Sequence, residues 1–113
     1  MSVAFAPAGQ TFAIGDADGA IQIRQTIDAK LLATFTGSTG HLTALTYSPD
    51  GTRLASASTE GVIRMWDTKT GDQVLAIRTG APNTSFLAFT PDGNTLISHG
   101  TVGKIQLWEA APR

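Results

Sequence analysis

A repeat of 42 residues is the feature that most constrains the fold of this chain. Three aromatic residues, Phe5, Tyr47 and Phe89, stand at the same place in three successive copies. In every copy a proline follows two residues later and a glycine four residues later. Turn residues in constant phase at this period indicate stacked β units, each too small to bury its own apolar faces. We therefore predict an all-β chain made of three such units.

The second copy shows the unit most clearly. Two alternating apolar runs, at 54–58 and 62–66, are separated by residues 59–61 and preceded by the Ser-Pro-Asp-Gly turn at 48–51. Such a pattern predicts two strands joined as a hairpin. Extended to all three copies, it predicts strands at 2–6, 11–15, 20–25, 31–36, 42–47, 53–58, 62–67, 73–78, 85–89, 95–99 and 104–109.

The same residues resemble the WD40 repeat family. The resemblance is carried by Gly40-His41, by residues 48–51 and 54–58, and by Trp66-Asp67, with weaker echoes at 90–93 and 107–109. It implies a β-propeller segment over residues 1–113, made of blades with four antiparallel strands. The three blades would cover about 1–40, about 41–82 and about 83–113, and the last would lack its outer strand.

The resemblance also implies a buried hydrogen-bond network of His41, Ser56, Glu60 and Trp66. The indole N–H can donate to the hydroxyl, the hydroxyl to the imidazole, and the imidazole to the carboxylate. Glu60 stands where the family usually has aspartate. A histidine, a serine and an acid would also suit a catalytic triad. Because Ser56 is predicted in a strand buried between blades, the structural role is favoured and no catalytic residue is predicted.

Two other groups of polar residues are candidate ligand sites. Asp16 and Asp18 resemble the start of a calcium loop, but the later acidic ligands are missing. Asp18-Gly19 between two strands is more typical of a hairpin turn. His99 has no second histidine or carboxylate near it in sequence, which favours an ordinary position at the propeller rim. We therefore predict neither a metal nor a cofactor.

The composition of the chain restricts the kinds of molecule that it is expected to bind. The 8 basic residues are scattered singly against 9 acidic ones, so no basic stripe suits a phosphate backbone, and neither nucleic acid nor a membrane surface is expected as a partner. The chain has no cysteine, which excludes disulfides. It shows neither a signal peptide nor an apolar run of about 18 residues. These features predict a soluble cytoplasmic protein.

Three blades make only an open wedge, whereas propellers have at least four blades. Each terminal blade would expose a sheet face of roughly 300 Å² in projection, and two such faces reach the size of apolar patch that soluble monomers seldom expose. Two arrangements would cover them. Either further blades follow in the natural protein, or copies of the chain assemble into a closed ring, two copies giving six blades and three giving nine.

The function implied by the resemblance is a non-catalytic scaffold for protein–protein interaction. A protein or peptide would contact the loops around the central channel, and the predicted contacts are Thr43, Ser58, Thr59, Asn83 and Thr101. One alternative is a ligand or metal site in the channel, like that of a lectin or an enzyme, with Asp16, Asp18 and His99 as ligands. Another is an architectural segment that contributes blades and recognises nothing.

Overall fold

The computed structural model describes residues 2–16, 18–36, 40–79, 84–100 and 105–109, and its strands form three antiparallel sheets. The fold class predicted from the sequence is confirmed. No helix in these ranges is long and apolar enough to cross a membrane. The strands are β1 (Ser2–Phe5), β2 (Thr11–Gly15), β3 (Ile21–Gln25), β4 (Leu31–Phe35), β5 (Leu42–Tyr47), β6 (Arg53–Ser58), β7 (Val62–Asp67), β8 (Gln73–Arg78), β9 (Thr84–Phe89), β10 (Thr95–Gly100) and β11 (Gln106–Glu109).

Within each sheet, neighbouring strands are also consecutive in the chain. The first sheet has the order β1-β2-β3-β4, the second β5-β6-β7-β8, and the third contains β9, β10 and β11, with β10 in the middle. All neighbouring strands are antiparallel. Every strand begins and ends within two residues of its predicted bounds.

Tight turns join the first and second strands of every sheet. Gly9, Gly51 and Gly93 have φ of 77°, 76° and 76° in these turns, a conformation that glycine adopts without the steric penalty of a side chain. The turns also contact one another. A Cβ added at Gly51 would lie 3.7 Å from Cδ of Pro7, and one at Gly93 would lie 3.6 Å from Cδ of Pro49. Gly51 and Gly93 therefore each pack on the turn proline of the preceding sheet.

The core consists of two apolar layers between the three sheets. Alternate residues of a strand point to opposite faces, so the second sheet contributes to both layers. The layer between the first and second sheets contains Ala13, Ile21, Phe35, Leu42, Leu45, Leu54 and Trp66. The layer between the second and third sheets contains Ala44, Ala55, Ala57, Ile63, Met65, Leu87 and Leu96.

Gly15 lies at a close approach of the first two sheets. A Cβ at this position would lie 2.7 Å from Cδ1 and 2.9 Å from Cβ of Leu42, and 2.9 Å from Oγ of Ser2. The lack of a side chain is what lets Leu42 pack against the strand. The equivalent residues of the other two sheets are Ala57, which is buried, and His99, which is exposed.

Candidate functional site

The strand order divides the connections between two ends of the stack. The turn end carries the connections after the first and third strands of a sheet, at 6–10, 26–30, 48–52, 68–72 and 90–94. The loop end carries the connections after the second and fourth strands. Its described residues are 16, 18–20, 36, 40–41, 59–61 and 79. Of the contacts predicted from the sequence, Thr43, Ser58 and Thr59 belong to the loop end or border it.

The indole and the hydroxyl of the predicted network form one buried pair. Nε1 of Trp66 donates to Oγ of Ser56 at 3.0 Å, and the two residues are 0% and 1% exposed. The Trp66 ring also stacks on Phe35 of the preceding sheet, with centroids 6.0 Å apart. This hydrogen bond satisfies a donor that would otherwise be buried without a partner. Ser56 is thus a structural residue rather than an exposed nucleophile.

The third sheet contains an equivalent tryptophan–serine pair, whereas the first sheet has other residues at these two positions. Nε1 of Trp108 donates to Oγ of Ser98, again at 3.0 Å. In the first sheet the equivalent positions hold Ile14 and Arg24. Both Nε and NH2 of Arg24 donate to Oε1 of Gln22, and NH1 donates to the carbonyl of Ala29. The guanidinium therefore bonds within its own sheet.

The other half of the predicted network is not buried. His41 and Glu60 are both exposed, so the prediction of four mutually buried groups is wrong for these two residues. His41 instead takes part through its main chain, since its carbonyl accepts from the N–H of Thr59 at 2.9 Å. This bond fixes the chain at the entry to β5, and both side chains remain at the surface of the loop end.

The five predicted partner contacts have different positions. The hydroxyl of Thr43 donates to the main-chain carbonyls of Ala57 and Thr84, which joins the second sheet to the third. Ser58 is 1% exposed, and its hydroxyl has no hydrogen-bond partner among the described residues. These two side chains do not form an open contact surface. Thr59 is half-buried. The two remaining contacts, Asn83 and Thr101, lie outside the described residues.

The alternative ligand set is not brought together. Asp16 belongs to the turn after β2, and its Oδ1 accepts from the N–H groups of Asp18 and Ala20 at 2.8 and 3.0 Å. This is the hairpin turn that the sequence favoured. His99 lies on β10, and no strand of the first sheet contacts a strand of the third among the described strands. In the same ranges, no three His, Cys, Asp or Glu side chains are grouped closely enough to hold a metal.

The turn end carries the carboxylates with perturbed pKa values. Oδ1 of Asp50 accepts from the N–H and the hydroxyl of Thr52 at 3.0 and 2.8 Å and from the hydroxyl of Ser48 at 2.8 Å. These bonds, the Thr52 N–H first, lower the pKa of Asp50 from its ordinary 3.8 to about 2. Hydrogen bonds to the charged form of a carboxyl favour that form.

Hydrogen bonds within the turns also lower the pKa values of two further aspartates. The hydroxyl of Thr90 at 2.6 Å, followed by the N–H of Asn94, lowers the pKa of Asp92. The N–H groups of Lys69 and Thr70 lower the pKa of Asp67. Each carboxylate thus bonds to nearby groups of its own turn.

We expect Asp50→Ala to destabilise the chain at neutral pH and to lose that effect in acid. A carboxylate with a lower pKa in the folded than in the unfolded chain stabilises the fold above the unfolded pKa, and this contribution disappears as the pH falls through the folded pKa. For Asp50 the loss occurs between pH 3.8 and about 2. Urea unfolding of both chains across this range measures it. The control is Asp72→Ala, an exposed aspartate of the next turn. An equal Asp50→Ala effect at neutral pH and at pH 2 would contradict the assignment.

The turn end also contains a groove that the sequence did not indicate. It lies between the turns of the second and third sheets and has a volume of about 350 Å³. Its lining includes Pro49, Asp50, Arg53, Phe89, Pro91 and Asp92. Arg53 also contacts Asp67, with NH1 3.4 Å from Oδ2. The groove arises because turns 42 residues apart in sequence lie side by side.

Stacked antiparallel sheets with a repeated Trp–Ser pair define the class of this protein as a β-propeller segment. Residues 29–67 match the family model described as WD domain, G-beta repeat, which confirms the resemblance to the WD40 family and makes this segment a WD40 repeat. The chain is also similar to the crystal structure of the Cps50 (Swd1) beta-propeller domain of Myceliophteria thermophila, with a TM-score of 0.88.

That similarity covers 98% of this chain and 34% of the Cps50 chain, at 21% sequence identity. The chain therefore spans about a third of the propeller structure that it matches. At this identity the likeness shows the fold alone. No curated protein matches the sequence.

Proposed function

We propose that this chain is a non-catalytic scaffold for protein–protein contacts, acting as a segment of a WD40 β-propeller. WD40 propellers generally bind protein partners, and the fold of this chain is of that kind. The observation that carries the proposal is the role of the polar side chains. Ser56 is bonded to Trp66 inside the sheets, while Asp16 and Asp50 are bonded within their own turns. The side chains that could take part in catalysis thus form hydrogen bonds that stabilise the fold.

The contact surface that we propose lies at the loop end, around His41, Thr59 and Glu60. His41 and Glu60 are exposed, and Thr59 is half-buried. Thr59 precedes Glu60 in the sequence, and its N–H donates to the carbonyl of His41. Thr43 and Ser58 support this surface from below, because their side chains face the sheets. Asn83 and Thr101 remain predicted contacts. The partner is a protein or peptide, and we propose that the complex forms in the cytoplasm.

The test is photo-crosslinking from the two ends of the stack. A benzophenone amino acid replaces His41 at the loop end, or Lys69 at the turn end as the matched control. Both positions are exposed, so neither change disturbs the core. Irradiation in the source cells is expected to give a discrete protein adduct from position 41 and none from position 69. Adducts from position 69 alone, or from neither position, would contradict a loop-end interaction surface.

The proposal also includes the two outer faces of the sheet stack. Some further structure covers them, either additional blades or other copies of the chain. The exposed apolar side chains on those faces support this part of the proposal.

A further inference from the structure

The turn-end groove lies between the second and third sheets, apart from both outer faces of the stack. Its lining residues fall within 48–53 and 89–93, and its volume is about 350 Å³. A Cβ added at Gly93 would lie 3.6 Å from Cδ of Pro49, so the two sides of the groove contact each other at that point. The volume falls within the about 300–1,000 Å³ of ligand pockets. Because both sheets belong to this chain, the groove does not depend on what covers the outer faces.

Each side of the groove carries one aspartate with an unused carboxylate oxygen. Asp50 and Asp92 occupy equivalent positions of the repeat, and both are exposed. All their hydrogen bonds within the described part of the chain go to Oδ1. Neither carboxylate has an ion-pair partner in that part. Two negative charges therefore line the groove, and Oδ2 of each is available to accept a hydrogen bond from a ligand.

Arg53 is the basic residue among the described lining residues, and its charge is already compensated. Its NH1 lies 3.4 Å from Oδ2 of Asp67 and donates to the carbonyl of Thr52 at 3.4 Å. Asp67 itself does not line the groove. Since the one positive charge is paired outside the groove and the two carboxylates are unpaired, the groove presents a net negative charge to a ligand.

Apolar groups form much of the remaining lining. Pro49 and Pro91 are exposed, and Phe89 is half-buried. The aliphatic stem of a lysine or arginine side chain packs on surfaces of this kind while its charged end stays near polar groups. A cation is also attracted to the face of an aromatic ring. Apolar groups beside two unpaired carboxylates thus suit a basic side chain better than an acidic or a purely apolar one.

The corresponding cleft between the first and second sheets lacks these charges. Ala8 stands at the position of Asp50, and Thr11 at the position of Arg53. This cleft has a volume of about 270 Å³, and its described lining contains no charged residue. The lining includes the repeat equivalents of four groove residues, namely Ala6, Thr11, Tyr47 and Gly51. Neighbouring turns thus form a cleft in both pairs of sheets, and the charge distinguishes the second cleft from the first.

We propose that the turn-end groove is a second binding site, which takes a basic side chain of a protein partner between Asp50 and Asp92. The charged end of that side chain, from an arginine or a lysine, donates to the two Oδ2 atoms, and its stem lies on Phe89 and the prolines. Hydrogen bonds between charged groups are about twice as strong as neutral ones. This site goes beyond the proposed loop-end surface and does not depend on it, because the two lie at opposite ends of the stack.

The test is an NMR titration of the chain with a blocked alanine–arginine–alanine peptide. Two amide signals report on the groove, because the N–H groups of Thr52 and Asn94 donate to Asp50 and Asp92. We expect both signals to shift and to saturate as the peptide is added. The matched probe is the same peptide with citrulline in place of arginine, which keeps the shape of the side chain but removes its charge. It is expected to give no saturable shift.

Asp50→Asn and Asp92→Asn are each expected to weaken the binding of the arginine peptide about tenfold, because each removes a charged acceptor. Asparagine keeps an oxygen for the bonds within the turn, and circular dichroism checks that the sheets remain. The matched control is Asp28→Asn. Asp28 is exposed, accepts from the N–H of Lys30 in its own turn at 3.0 Å, and does not line the groove. It is expected to leave the affinity unchanged.

Three results would overturn the site. They are the absence of a saturable shift with the arginine peptide, equal shifts with the citrulline peptide, and an affinity that is the same in both groove variants as in the unchanged chain. A loss in Asp28→Asn as large as in the groove variants would overturn it as well. Crosslinking from His41 tests the loop end separately, and its control position Lys69 does not line the groove. The two proposals can therefore fail independently.

Discussion

Replacing Trp66 by alanine is expected to lower the free energy of unfolding by about 3–5 kcal/mol, the usual cost of removing a large buried aromatic side chain. Trp66 is 0% exposed, stacks on Phe35 of the neighbouring sheet and satisfies its N–H through Ser56. The substitution therefore leaves a cavity between two sheets and removes a buried hydrogen bond. Domains of this size are stable by only about 5–15 kcal/mol, so much of the total stability is at risk.

Urea unfolding followed by circular dichroism measures this effect. The matched control is Trp108→Ala, because Trp108 makes the same 3.0 Å bond to Ser98 but is only half-buried. We expect a clearly smaller loss from the control. Ser56→Ala should cost about 1–3 kcal/mol, since it leaves the buried indole N–H without a partner. Equal losses from the two tryptophan variants would show that stacking between the sheets does not anchor the fold.

Gly15→Val is expected to destabilise the chain by about 1–3 kcal/mol, the usual cost of overpacking a core. The first carbon of the new side chain would lie within 3 Å of both Cδ1 and Cβ of Leu42. The sheets must then separate locally, or Leu42 must leave its position in the core layer. The cause is packing alone, because Gly15 does not have a positive φ.

A double-mutant cycle with Leu42→Ala separates packing from other causes. Leu42→Ala alone opens a cavity and costs about 2–5 kcal/mol. In the double variant, valine at position 15 fills part of that cavity, so the combined loss should be smaller than the sum of the single losses. The free energies of unfolding of the four chains give the coupling. Strict additivity would mean that the close approach of Gly15 and Leu42 does not determine how the first two sheets pack.

Much of the fold was predictable because it depends on local patterns repeated at a fixed spacing. The alternation around Leu54 and Ile63, together with turns such as the one at Asp50 and Gly51, determines the strands to within two residues. The Trp66–Ser56 pair was expected from the resemblance to the WD40 family, and in the structure both side chains lie on one face of neighbouring strands. The local hydrogen bonds of the turn aspartates follow from the short reach of their side chains.

The site was less predictable, because side-chain orientation near strand ends depends on tertiary contacts. His41 and Glu60 fit the pattern of a buried network but are exposed, while Ser58 fits a surface contact but is buried. The direction of Thr43 depends on the carbonyl of Thr84 in the next sheet. The turn-end groove likewise depends on two turns that are distant in sequence. No pattern within a single unit contains this information.

The contacts between successive turns bear on how a chain like this can grow. Gly51 packs on Pro7 and Gly93 packs on Pro49. The turn of a unit thus offers a glycine to the preceding unit and a proline to the following one. Duplication or loss of one whole unit by recombination keeps the glycine and the proline of every turn and therefore preserves each contact between successive turns. Insertion of a residue within a turn, between its proline and its glycine, would instead shift that glycine away from the proline of the preceding sheet. Duplications or losses of whole units in this chain should therefore come in multiples of 42 residues.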